Sequence, residues 1–121
     1  MKFRGTLLAV AGAMTMAAGA AAQDYPTRTI TLVVPFASGG GIDASARLQA
    51  QVLGEILGHI VVVENVGGAS GTIGSAKVAN ARPDGYTMLI GNSGTHAYSQ
   101  TLYKKQPFDS VKDFEPIGLV T

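Results

Sequence analysis

Hydrophobic and polar positions change period several times along this chain, and each change marks an element. Ile30-Thr31-Leu32-Val33-Val34 is a β-branched run stopped by Pro35, which predicts a strand. Over residues 43–57 the period lengthens. Ala44, Leu48, Val52 and Ile56 step by four, with Leu53 and Leu57 beside them, and this predicts a helix with Gly58 at its C-cap. Ile60-Val61-Val62-Val63 is apolar throughout, as a buried parallel strand is. A short Ala-rich helix is expected over 72–81, and Arg82-Pro83-Asp84-Gly85 is a turn, with proline setting φ and Asp-Gly closing it. A third strand follows over 86–90, then a helix over 95–102 that Thr95 could cap. One helical turn is expected over 110–114, and the start of a further strand over 117–120.

The order β-loop-α, repeated three times and entering another strand, predicts an α/β fold with a parallel sheet and helices on its faces. Three small-residue loops follow the three strands. The first holds Phe36, Ala37, Ser38, Gly39, Gly40, Gly41 and, at the helix entry, Asp43. The second runs from Asn65 to Ser70, Gly71, Thr72 and Ile73. The third is Gly91-Asn92-Ser93-Gly94-Thr95. In an open α/β sheet all such loops lie along one edge, where ligands bind. Bare backbone at helix N-termini presents unpaired N–H groups and a partial positive charge to an anion. The loops contain no lysine or arginine, so the anion would be held by amides and hydroxyls. Asp43 could cap the helix or hold a ligand's amine or hydroxyl.

Residues 1–22 read differently from the rest. Lys2 and Arg4 precede an uncharged Ala/Gly-rich stretch that ends in Ala20-Ala21-Ala22, the pattern of a cleavable secretory signal peptide. Export would leave Gln23 as the new N-terminus. It would also take 9 basic residues to 7 against 8 acidic ones, turning the formal charge of +1 slightly negative. With no basic run or aromatic-basic interleaving, nucleic acid is not an expected partner. Cysteine is absent, so no disulfide supports the fold.

Other chemistry fits less well. Gly39, Gly41 and Ala44 match a dinucleotide fingerprint, with Glu64 ending the next strand, and this keeps an exported dinucleotide-binding, Rossmann-like enzyme as an alternative. Pro35-Phe36 separates those glycines from their strand, however, where the fingerprint turn follows directly. Ser70 and Ser93 sit in segments that miss the nucleophile-elbow pattern at its last position. His59 and His96 have no acidic or cysteine neighbours at ligand spacing, so no metal site is expected and no cofactor is required.

Pro35-Phe36, Gly39-Gly40, Asp43, Glu64-Asn65, Gly71, Ile73-Gly74, Pro83-Asp84-Gly85-Tyr86-Thr87, Gly94-Thr95-His96 and Asp113-Phe114 together resemble the Bug-type extracytoplasmic solute receptors of tripartite tricarboxylate transporters. The resemblance extends over the chain from Tyr25 onward. It implies a non-enzymatic periplasmic protein of two lobes, built like a type II periplasmic binding protein. Such a protein would carry a small organic acid or amino acid to a membrane permease. It further implies that the loop from Phe36 to Asp43 contacts the ligand, in part through ordered water. Residues 70–73 and 92–95 would complete one lobe's half of the site. Residues 23–121 then correspond to the first lobe with the second absent, and a chain so divided is expected to bind carboxylates weakly or not at all, because hinge closure supplies burial. A sensory module presenting its bound acid to a membrane kinase is the other reading the same features allow.

Overall fold

A computed structural model describes residues 24–120; the expected signal peptide lies outside the described residues. The chain runs β1 (Ile30–Val34), α1 (Gly41–Leu57), β2 (Val61–Asn65), α2 (Thr72–Ala79), β3 (Thr87–Leu89) and α3 (Ser99–Leu102). The three strands form one parallel sheet in the order β2-β1-β3. The first strand in sequence is thus the central one, and it is the most apolar and most buried: Ile30, Leu32, Val33 and Val34 are all in the core. Helix α1 connects β1 to β2 on one face, and α2 crosses from β2 back over β1 to β3 on the other. This is the α/β architecture the alternation predicts.

Register follows the two-residue period of the sheet. Leu32 and Val34 point toward α1 and meet Ala46 and Ala50, with Phe36, Ile42, Val61, Val63, Met88 and Ile90 packed around them. On the opposite side α2 presses close to the end of β1: a methyl added at Gly74 would lie 2.5 Å from the Val66 carbonyl and 2.8 Å from Pro35 Cα. Contacts this close bring the loops after β1 and β2 together before any side chain is considered.

The helix α1 does not bury the stripe that reveals it. Leu48 and Ile56 are 65% and 74% exposed, and Val52 is exposed as well. The face against the sheet carries Asp43, Ala46 and Ala50, with Gly54 so near the strand entry that a methyl there would lie 3.2 Å from the His59 carbonyl. Close approach to the sheet selects small residues, and the large apolar ones are left on the outer side.

Three further expectations are corrected. Helix α1 starts at Gly41, with extended Gly40 in the N-cap position, so Asp43 lies inside the first turn and is not the cap. Thr95 is not a cap either. The chain enters a π-type turn over Gly94–Tyr98 that runs into α3, and the Asn92 side chain accepts the Thr95 N–H at its entrance. Residues 117–120 form no strand. An extended segment becomes one only by pairing with a sheet edge, and among the described residues nothing pairs with this one, leaving Ile117 and Leu119 exposed. The expected turn near 110–114 is present, closed by Asp109, whose carboxylate accepts the N–H groups of Val111 and Lys112.

Candidate functional site

Parallel pairing carries the three loops to one edge. Val66 N–H donates to the Val34 carbonyl at 2.8 Å and Ile90 N–H to the Val33 carbonyl at 3.0 Å, so the loops leave the sheet side by side. They meet at Gly71. A methyl at that position would lie 2.5 Å from Thr95 Cγ2 in the third loop, 3.3 Å from the Phe36 ring and 3.3 Å from the Pro35 carbonyl in the first. Gly71 is buried and has φ +90, a conformation that glycine tolerates without strain.

Around that meeting point the expected site residues divide by exposure. Ala37, Ser38, Gly39, Gly40 and Gly41 are exposed, with Phe36 half-buried behind them. Ser70 and Ile73 are exposed, and Thr72 is half-buried. Asn92, Ser93 and Gly94 are exposed, whereas Thr95 is buried. Thr95 holds its own loop together: its hydroxyl accepts Asn92 N–H at 3.0 Å and lies 2.8 Å from His96 Nδ1. His96 in turn rests edge-on against Phe114, with ring centroids 4.8 Å apart. Burial lowers its pKa, which favours the neutral imidazole.

The second loop is strained. Ala69 and Ser70 have φ +46 and +55, which cost non-glycine residues energy. Such strain gathers at functional sites. Tyr103 reaches across from the end of α3, its hydroxyl 3.4 Å from Ser70 Oγ.

Asp43 faces inward. One carboxylate oxygen accepts the Gly39 N–H at 2.8 Å and Arg47 Nε at 3.1 Å, and the other accepts Asn65 Nδ2 at 2.9 Å. These bonds, the Gly39 amide first among them, lower its pKa from 3.8 to about 2. It is therefore an ionised group at the N-terminus of α1, paired with Arg47. The sequence reading passed over Arg47. The signal was its four-residue spacing from Asp43, a helical ion-pair distance.

The first helical bond of α1 is Ala44 N–H to the Gly40 carbonyl, which leaves the N–H groups of Gly41, Ile42 and Asp43 without intrahelical acceptors. An edge lined with such amides, hydroxyls and glycine suits an anion that brings its own oxygens. Among the described residues no group of three or more His, Cys, Asp and Glu could hold a metal ion. Glu64, the acidic residue of the dinucleotide fingerprint, forms an exposed ion pair with Lys77 of α2. A separate open groove of about 670 Å³, lined in part by Arg28, Glu55 and His59, lies at the opposite end of the sheet, away from all three loops.

In a doubly wound parallel sheet the edge at the carboxyl ends of the strands, where these glycine-rich loops lie, is where ligands bind. The chain belongs to the tripartite tricarboxylate transporter receptor family, whose family model matches residues 45–121. It is 45% identical over 103 residues to a protein from the TAR-I ttuE-ttuC' intergenic region of Agrobacterium vitis, an alignment covering 84% of this chain and 30% of that one. Among solved structures it is similar to the periplasmic binding protein BugD, at TM-score 0.75 and 48% identity, covering 78% of this chain and 31% of that one. It is also similar to MatC from Rhodopseudomonas palustris with bound malate, at TM-score 0.73 and 43% identity, covering 76% and 31% of the two chains. The chain thus spans about a third of the length of these relatives. Of these, BugD is a periplasmic binding protein and MatC holds malate.

Proposed function

We propose that this chain forms the first-lobe half of a periplasmic receptor for a carboxylate-bearing small molecule, delivered to a tripartite tricarboxylate-type permease. The observation that supports this best is the convergence of three loops from adjacent parallel strands at Gly71, with exposed glycine, serine and asparagine around it. A carboxylate would accept N–H groups at the entrance of α1 and from the loops of residues 70–73 and 92–95. Charge-assisted bonds of this kind are worth about 1.5–3 kcal/mol each. The bound malate of MatC suits such chemistry. The protein has no catalytic step in this reading and needs no cofactor. Residues 1–22 serve as the export signal and are removed, and residues 23–121 correspond to the first of two lobes, a division that the greater length of the relatives supports.

Thermal-shift titration tests the reading. Malate, citrate and other di- and tricarboxylates are expected to raise the Tm of the chain saturably, with weak affinity, because one open half-site leaves much of the ligand in water. Nicotinamide dinucleotides are expected to leave it unchanged. Stabilisation by the dinucleotides and not by any organic acid would overturn the proposal.

A further inference from the structure

The side chains of Asp43, Arg47 and Asn65 close into a ring. Arg47 Nε donates to Asp43 at 3.1 Å, Arg47 Nη2 to Asn65 Oδ1 at 3.2 Å, and Asn65 Nδ2 to Asp43 at 2.9 Å. From this ring two more bonds reach the first loop. Asp43 accepts the Gly39 N–H at 2.8 Å, and Asn65 Nδ2 donates to the Phe36 carbonyl at 3.2 Å. The ring therefore grips the loop at Phe36 and at Gly39, and the exposed Ala37 and Ser38 are suspended between the two anchors.

We infer that Asp43, Arg47 and Asn65 are positioning residues that hold the first loop in its anion-accepting shape without themselves touching the ligand; the inference rests on the carboxylate-receptor reading above. Each residue type follows from the task. The Asp43 side chain is 5% exposed and has three donors around it, so its oxygens are spent on the ring and the loop. An unpaired carboxylate at a helix entrance would also repel an incoming anion, and the Arg47 charge offsets it. Arginine is needed because two nitrogens of one planar fork serve two acceptors at once, which the single ammonium of lysine does not do in that geometry. Asn65 must be an amide, since it accepts from Arg47 and donates to both Asp43 and Phe36. Its place at the end of β2 ties the loop to the sheet as well as to α1. A glycine-rich loop needs such external support, because its own residues restrict it so little.

The test uses Arg47→Lys, which keeps the charge and loses the fork, and Asn65→Asp, which keeps the shape and loses the donor. Amide hydrogen exchange at Gly39 and the affinity for malate are read by NMR on the same samples, with Tm alongside. The expected result is faster exchange at Gly39 in both variants and malate binding weakened about tenfold, the size of coupling seen between contacting residues, with Tm nearly unchanged for Arg47→Lys. The Arg47 side chain is 55% exposed, so this variant reports even if Asn65→Asp fails to fold. Unchanged Gly39 exchange in Arg47→Lys would overturn the inference, whether or not malate binds. Affinity falling only in step with Tm would do so too, marking the ring as a general support of the fold. Faster exchange with no malate binding even in the unaltered chain would leave the anchoring role in place and remove the receptor reading instead.

Discussion

Substituting Gly71 by alanine examines the point on which the site depends. The new methyl would stand 2.5 Å from Thr95 Cγ2, too close for any pair of carbons, and 3.3 Å from the Phe36 ring and the Pro35 carbonyl. Thr95 cannot turn aside cheaply, because its hydroxyl is bonded to Asn92 N–H and lies against His96 Nδ1. Two costs therefore add. A side chain at φ +90 carries left-handed strain of about 1–2 kcal/mol, and overpacking adds roughly 1–3 kcal/mol. Gly39→Ala is the matched control. Gly39 has nearly the same φ, +89, but among the described residues nothing lies within 4 Å of its added methyl. Urea denaturation of both variants, with m values compared to confirm a common unfolded state, should show Gly71→Ala to be the more destabilised by about 1–3 kcal/mol. Equal losses in the two variants would refute the convergence of the three loops at Gly71.

Other consequences can be measured in the same way. Ala69→Gly relieves a left-handed alanine and is expected to stabilise the chain by up to about 1 kcal/mol in urea titrations. Ala50→Leu, on the buried face of α1, should cost about 1–3 kcal/mol by overpacking, while Leu48→Gln on its outer face should change stability by no more than about 0.5 kcal/mol. The lowered pKa of His96 means that the unfolded chain binds a proton the folded chain resists. Stability should therefore fall as pH drops below 6.5, and His96→Gln should remove that dependence. Asp43 acts lower on the scale. Its folded pKa of about 2 lies below 3.8, so the stability it contributes is present above 3.8 and lost as pH falls toward 2, a slope that Asp43→Asn should flatten in acid titrations followed by circular dichroism.

The β-branched run of β1, the apolar run of β2 and the Pro-Asp-Gly turn before β3 were legible because each is decided within a few residues, although β2 is an edge strand that leaves Ile60 and Val62 exposed and is not the buried strand its composition predicts. The positions of the three loops followed from the alternation of strands and helices, since parallel pairing sends every strand's C-terminal end the same way. What local pattern could not supply was direction. The four-residue stripe of Leu48, Val52 and Ile56 identifies a helix correctly and misleads about its buried side, because tight packing on a sheet rewards the small Ala46, Ala50 and Gly54. Residues 117–120 have strand composition, but a strand also requires an edge to pair with. Asp43 illustrates the same limit at the site. Its position at the helix entrance was plain, yet its inward orientation depends on Arg47 and on Asn65, 22 residues away in the chain. Glycine and serine mark where a backbone is open, and the polar ring that fixes that backbone leaves only the spacing of Asp43 and Arg47 as a trace.

The central claim is that one organic carboxylate is held by backbone amides from three loops. Titrating ¹⁵N-labelled chain with malate, and in parallel with its uncharged diamide, tests this most directly. Saturable shifts confined to the amides of residues 38–42, 70–73 and 92–95, produced by the acid alone, are the predicted result. Shifts gathered instead in the groove beside His59, or equal responses to acid and diamide, would contradict it.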